Sequence, residues 1–484
     1  MKKYLYILLA LTAFSSCKKF LDVNTDPNKP TDVPPKLLLP TTTVGMGWAN
    51  GNELGRAAGV LIQYNAGLGT TTNPAIYDTY VLDGGMDNQW NSEIYGGTVT
   101  NLRILISKTN GTSPAYSGIA KLELAYVISM ATDLWGDVPY SQAGFGVTYP
   151  QPRFDKQQDI YLGNSTLGIQ SLFNLVREGI ADLDKTSALK PTSDDLIYAG
   201  DLAKWKRMGN TLLLKLALQV SNVAKDTTIS VINSALASTA GLISDSTYDF
   251  KLPFLSTAVG NKNPYFLYDY TNRPDEEMAS TRFINLMKSQ NDTLRLAKFY
   301  TKPNGVFTGY DNGAVTTTPA AANRSRYNTY VVGTNGEAPL RLITSFQRAF
   351  ILAEAALTLG IAGDPNALYQ EGIRMSMQKV GMTPTEITTY FAANPLVVNL
   401  TGTTPDKLKQ IITQKYISLV GNGIEAYNDY RRTGYPVLAL SLKAGGDDPS
   451  SIPKRFAYQP GEATRNPNQP NPRIKTNVKV WWGL

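Results

Sequence analysis

The sequence predicts a mainly α-helical body in which paired helices support an irregular, loop-rich region. Two observations predict the helices: apolar residues recur at helical spacing through long segments, and successive segments are joined by short Gly- and Pro-containing turns. The third is that residues 65–90, 245–275 and 301–340 carry neither a helical nor a strand period, yet are rich in Tyr, Asn and Thr. Loops beyond ~12–15 residues are uncommon and tend to be functional or disordered. A chain of 484 residues with 42% hydrophobic content is ample for a sizeable core. No linker splits the body, so residues 41–484 read as one domain.

The N-terminus reads as an export signal over residues 1–16. Lys2 and Lys3 form the positive end, Leu5 to Phe14 the apolar core, and Ser15-Ser16 the small residues before cleavage. A spanning helix needs ~20 apolar residues, so this segment is too short to remain as an anchor. Cys17, the single cysteine, follows directly, where lipidation of its thiol would tether the chain; Ser16 fits a lipobox and Phe14 fits it more loosely. One cysteine also excludes an intrachain disulfide. Residues 17–40, rich in Pro, Asp and Asn, read as a lipid-anchored tether. Asp22, Asn24, Asp26 and Asn28 alternate like half a calcium loop, but Pro27 and Val33 stand where that loop needs Gly and a carboxylate, so the segment reads as Asx turns and no metal is expected.

Helices follow in order. Residues 115–134 align Ile119, Leu122, Tyr126, Met130 and Leu134, with Ser113 as N-cap, Pro114 at the first position and Pro139 as the stop. Residues 167–184 and 201–223 repeat the pattern. From Phe346 to Gly381 a helix pair turns at Gly-Asp-Pro, with Asp364 as cap; its length is close to the ~34 residues of a tetratricopeptide unit. Thr383-Pro384 opens a helix with Glu386 completing a capping box, and Thr404-Pro405 opens another. Trp90, Trp135 and Trp205 sit in apolar patterns and read as core.

Composition narrows the function. Charged residues are 18%, below the roughly 25% of average soluble proteins, and 27 tyrosines suit contact with neutral polar ligands. Loss of Lys2 and Lys3 with the signal would reduce the formal charge of +7 to +5; the basic residues are scattered, without the stripe that nucleic acid requires. The chain has no histidine, which removes Ser-His and Cys-His nucleophiles and His-containing zinc sites. No phosphate-cradling glycine loop is present, and no cofactor is expected. Paired-carboxylate glycosidase chemistry needs only two acids about 5 to 9.5 Å apart, so Asp194-Asp195, Glu276-Glu277 and Asp447-Asp448 keep that alternative open, although solvated loop charges explain them more simply. No catalytic residue is assigned. The ligand-binding candidates are Trp48, flanked by Gly and Asn, and the loop tyrosines Tyr77, Tyr80, Tyr265, Tyr268, Tyr310 and Tyr330.

Six segments in register resemble the SusD/RagB family of outer-membrane nutrient-binding lipoproteins: CKKFLDVNTDPNKPTD from Cys17, DLWGDVPYSQA at 133–143, WKRMGNTLLLKLALQVSN at 205–222, FILAEAALTLG at 350–360, EAYNDYRRTGYP at 425–436 and the closing NPNQPNPRIKTNVKVWW. The resemblance implies a SusD-like fold with four tetratricopeptide-like helix pairs supporting the ligand-binding region. It implies a non-enzymatic, lipid-anchored outer-membrane protein, usually at the cell surface, that acts as lid to a SusC-like TonB-dependent β-barrel transporter. Family ligands are mostly oligosaccharides, with peptides in the RagB-like branch. Lys18-Lys19 stand where surface-exposed relatives often carry acids, which leaves a periplasmic orientation open. The family's binding aromatics follow no motif that aligns here.

Overall fold

The computed structural model describes residues 32–82, 84–257 and 259–484; Cys17, the signal segment and the calcium-like alternation lie outside them. Helices are numbered in chain order, with short turns unlabelled. They are α1 Pro35–Gly51, α2 Glu53–Leu61, α3 Asn73–Asp78, α4 Thr100–Thr109, α5 Pro114–Trp135, α6 Leu172–Asp182, α7 Leu202–Gln219 and α8 Lys225–Leu236. After these come α9 Thr281–Ser289, α10 Ser345–Leu359, α11 Pro365–Lys379, α12 Pro384–Ala393, α13 Thr404–Ser418, α14 Gly423–Thr433 and α15 Pro460–Arg465.

Four consecutive pairs, α4/α5, α6/α7, α10/α11 and α13/α14, pack on one another. Their starts follow capping chemistry. Asp201 accepts N–H bonds from Ala203 and Lys204, Asp364 accepts one from Ala367, and Thr383 and Glu386 form the expected capping box. Elsewhere the boundaries moved. Ser113 precedes α5, but its hydroxyl accepts the N–H of Leu189 instead of capping the helix. Helix α5 ends at Gly136, whose φ of +85° no other residue adopts cheaply, and Pro139 lies beyond in a two-residue strand. Helix α6 begins five residues later than its apolar period suggested, because Asn164 and Ile169 close a turn first. The cap of α13 is Thr403, with Asp406 returning to its backbone. Helix α1 begins at Pro35, so the last six residues read as tether are helical; Leu38 and Leu39 are drawn into the core.

The pairs approach closely where side chains allow it. At the α5/α6 crossing Gly118 faces Gly179, and a Cβ on Gly118 would stand 2.7 Å from the Gly179 carbonyl oxygen. One continuous core runs through the body, with Trp90, Trp135, Trp205 and Trp482 almost wholly enclosed.

The three long irregular stretches fold against each other. Strand β1 (Asn65–Gly67) pairs antiparallel with β5 (Glu277–Ala279) and β4 (Phe250–Leu252) with β6 (Leu340–Ile343), while outside these stretches β2 (Val138–Pro139) pairs with β3 (Phe154–Asp155). Tyrosine holds this region together. Tyr270 donates its hydroxyl to the Tyr327 carbonyl and Tyr310 to that of Thr316, with Tyr300 bonding Tyr64 and Tyr416 bonding Ile62 at the region's border; elsewhere Tyr427 does the same for Pro453 and Tyr458 for Asp137. Irregular backbone leaves carbonyls without ladder partners, and a buried ring carrying one donor both fills space and satisfies them.

Candidate functional site

The site is assembled where α2 begins, between two π-helical stretches, Gln89–Val99 and Leu267–Asn272. A π turn widens the helix, and such turns recur at functional sites. The first depends on Gly96 and Gly97: a Cβ there would stand 2.7 Å and 2.4 Å from the carbonyl oxygens of Asn91 and Ser92, five residues earlier. The Thr98 hydroxyl bonds the Glu93 carbonyl across the same interval at 2.6 Å.

A polar network spans the gap. Asn52 donates its amide to Glu93 Oε1 at 2.7 Å and accepts from Arg56 Nη1 at 3.0 Å. Arg56 pairs with Glu53, and Tyr77 donates its hydroxyl to Glu53 Oε1 at 2.5 Å. Asn73, exposed, stands 3.5 Å from the same oxygen, and Gln89 reaches Glu93 at 3.5 Å. On the other side the Arg56 guanidinium lies 3.7 Å over the Tyr268 ring, whose hydroxyl donates to Glu276. Asn52, Glu53, Glu93 and Glu276 are half-buried, so their outer faces meet solvent.

Beneath lies a buried charge cluster. Burial pulls the Arg56 pKa down, but Glu53 and Glu277 outweigh it and hold it above its ordinary value. Asp269 and Glu277 face each other; burial, and for Asp269 the neighbouring Glu277, push both carboxyls up, so the pair retains a proton where isolated carboxylates would have lost it. Burial also raises Glu93. Tyr77 separates this network from a cavity of about 110 Å³ lined by Ile76, Leu82, Met86 and Phe456.

The sequence candidates divide. Tyr77 joins the network, and Tyr268 forms its inner wall under Arg56. Trp48 is half-buried on α1. The others are turned inward. Tyr80 is 3% exposed and its oxygen accepts the Ser441 N–H; Tyr265 packs edge-on against Tyr327. Tyr310 closes a small apolar cluster with Leu68 and Met278, and Tyr330 lies between Phe299 and the guanidinium of Arg341. Their loops need a core of their own, which is why these rings are buried and not offered to solvent. Among the described residues only two aromatic rings are strongly exposed, Phe145 and Tyr149, neither in a stretch the sequence marked as irregular. The signal available was a run without charge from Ser141 to Pro152, with glycine on each side of Phe145.

One acid of each adjacent pair is also not the solvated charge expected, while Asp194, Glu276 and Asp448 are half-buried. Asp195 is 3% exposed and accepts the indole N–H of Trp205 at 2.7 Å and the Gly200 N–H at 2.9 Å. Glu277 is buried against Asn65, and Asp447 pairs with Arg473 and accepts the Thr476 N–H. Asp195 and Asp447 hold backbone, ring or guanidinium groups and Glu277 holds the Asn65 side-chain amide, which is the physical reason these three are not free.

A second, larger concavity of about 520 Å³ lies among α9, α11, α13 and the segment at Pro436-Val437. Its polar groups do not converge: Asp406 caps α13, and Gln410 bonds Thr401 and the carbonyls of Leu396 and Asn399.

A family model described as SusD-like, starch-binding associating with outer membrane, matches residues 27–459. No curated protein matches. A solved structure named as a chitin-binding protein shares 22% identity, covering 93% of this chain and 100% of that one, with a TM-score of 0.78. A chitin-binding SusD homolog from Flavobacterium johnsoniae shares 20% identity, covering 93% and 98%, with a TM-score of 0.77. A SusD homolog from Bacteroides uniformis shares 23%, covering 93% and 98%, at 0.73. Identities this low speak to the fold, and the helix pairs above are that fold. The match of the family model over most of the length carries the assignment: the chain belongs to the SusD-like family.

Proposed function

We propose that the protein binds a neutral oligosaccharide at the Asn52–Glu53–Tyr77–Glu93 network and passes it to a SusC-like TonB-dependent transporter, acting as its lid without catalysing a reaction. The observation that carries this reading is the network itself: carboxylate acceptors and amide donors alternate at a half-buried surface beside an apolar cavity. Sugar hydroxyls donate and accept at once, so they match such a row, while an anionic ligand would meet Glu53 and Glu93. Relatives of this fold named as chitin-binding add support for a glycan. The engagement of Asp195, Glu277 and Asp447 in structural bonds argues against a glycosidase built on those adjacent pairs.

Among the described residues no helix is long and apolar enough to cross a membrane. A lipid on Cys17 would hold the protein at the outer membrane, at the cell surface in this reading. Cys17→Ser is expected to move the protein from the membrane fraction to the soluble one.

Calorimetric titration with chitooligosaccharides, maltooligosaccharides and peptides tests the ligand. Saccharide binding is expected, and Glu53→Ala should weaken it roughly tenfold or more, the scale of a hydrogen bond to a charged group. Binding of peptides alone would replace this reading with a RagB-like one, and release of shortened sugars on long incubation would replace it with a glycosidase.

A further inference from the structure

The loop Ser141–Pro152 presents the two exposed rings. Phe145 is 44% and Tyr149 42% exposed, with Val147 between them at 97%. The chain holds 42 Tyr and Phe residues and six Trp, and among the described ones only these two stand out in solvent. Both occur in one loop, four positions apart.

The loop is held, not loose. Gly144 and Gly146 take positive φ values of +83° and +56° and bracket Phe145, turning its side chain outward. Arg103 backs the ring, with its guanidinium 5.1 Å from the Phe145 centroid and 5.4 Å from that of Tyr140. A Cβ on Gly144 would stand 2.9 Å from Arg103 Cγ, so this packing needs the glycine. Phe145 and Tyr149 meet edge-on, centroids 6.2 Å apart at 77°, forming an exposed aromatic corner. At the loop's base, Asp155 accepts the Ser141 N–H at 2.6 Å and Arg153 bonds Asp155, the Ser141 hydroxyl and the Leu167 carbonyl.

The corner is continuous with the candidate site. Gln151 Nε2 bonds the Arg465 carbonyl at the end of α15, and Asn468 Nδ2 bonds the Gln151 carbonyl. At its other end α15 starts at Pro460, which packs on Gly84 at the 110 Å³ cavity, and Glu462 accepts the indole N–H of Trp90. One short helix, ~9 Å long at 1.5 Å per residue, therefore joins the cavity rim to the aromatic corner.

We propose that Phe145 and Tyr149 form a second saccharide-stacking platform, distal to the Glu53 site, that engages a further stretch of the same neutral polymer chain. The inference rests on the function proposed above. The chemistry is that of pyranose recognition: exposed aromatic rings present an apolar surface to the C–H face of a sugar ring. The exposed Thr148 hydroxyl and the amide oxygens of Gln151 and Asn468, whose side-chain N–H groups are spent on the Arg465 and Gln151 carbonyls, supply polar partners around them. Residues 141–152 carry no charge, and the nearest cations, Arg103 and Arg153, are engaged with the Tyr140 carbonyl and with Asp155, so the loop favours a neutral ligand over an anionic lipid surface or a charged protein partner.

The test compares wild type with Phe145→Ala/Tyr149→Ala, and with Phe145→Tyr/Tyr149→Phe, in binding to a crystalline chitin suspension, soluble starch and short chitooligosaccharides. The alanine pair is expected to lose about tenfold in affinity for the polymer that wild type binds while short oligomers and melting temperature stay unchanged. The aromatic exchange keeps binding. Equal polymer binding by wild type and the alanine pair overturns the platform and leaves the Glu53 site standing. Unchanged glycan binding with loss of co-purifying membrane protein overturns it in favour of a protein interface. Failure of wild type to bind any glycan overturns both readings together.

Discussion

Asp133 on α5 accepts the indole N–H of Trp482 at 2.9 Å, across 349 positions of sequence. The same carboxylate oxygen accepts the Tyr161 hydroxyl at 2.7 Å, and Arg431 binds the Asp133 carbonyl at 2.6 Å while lying 4.9 Å from the Trp482 ring. The last helix pair and the C-terminus are thereby fastened to the longest helix. Truncating Trp482→Ala leaves a cavity in a region with no exposure, and is expected to cost about 3–5 kcal/mol. Urea unfolding measures it; an unchanged midpoint would show the C-terminus to be a passive tail.

Glu123 provides a pH dependence. It is fully buried in α5 and accepts the hydroxyls of Thr42 at 2.9 Å and Thr43 at 2.6 Å, so α1 is held to α5 by a carboxyl without an ion-pair partner among the described residues. Burial, opposed only by those hydroxyls, pushes it up to about 8 from an ordinary 4.5. Between these values the folded protein keeps a proton that the unfolded chain has released. Its contribution is therefore full below pH 4.5 and lost as pH rises to about 8. Glu123→Gln should flatten that slope and be more stable at pH 8 by on the order of 3–5 kcal/mol. Equal slopes in unfolding at pH 5 and pH 8 would rule it out.

Arg432 on α14 sits 2% exposed between Glu354 of α10 and Asp429, and Lys415 of α13 completes the group. Arg432→Met conserves bulk but leaves Glu354 buried and unpaired, at an expected cost of about 3–5 kcal/mol. Adding Glu354→Leu should recover part of the loss. No recovery in the double variant would mean that the pair does not act as a unit.

Tyr300 links two irregular stretches through its hydroxyl, which donates to the Tyr64 carbonyl at 2.8 Å and lies 3.0 Å from Asn65 Oδ1. Tyr300→Phe keeps the ring and removes the donor, so a loss of about 1–3 kcal/mol is expected from an unpaired buried carbonyl. Amide hydrogen exchange should rise locally at β1 and β5. Protection that stays unchanged there would contradict the fastening role given to the tyrosines.

Much of the scaffold was legible. The apolar periods of α5, α7, α10 and α11 located those helices, and Asp364 marked the first turn of α11 and Thr383 that of α12, because capping and amphipathicity act within a few residues. The site was only partly so. Tyr77 and Tyr268 were named from loop composition and do flank the network, yet Glu53, Asn52 and Glu93 were not named, since their meeting depends on α2 lying between two π stretches. The loop tyrosines were expected outside because their segments lacked a period. Those segments cover one another instead.

From the order of its residues alone this chain determined where many of its helices run, that residues 346–381 form a helix pair and which family it resembles, all properties carried by local pattern and by short segments in register. Tertiary structure alone decided which aromatic rings face water: Tyr265 and Tyr310 are enclosed while Phe145 and Tyr149 are exposed. The physical reason is that burial of a side chain is set by whatever folds over it, and here the covering strands and loops come from as much as hundreds of residues away.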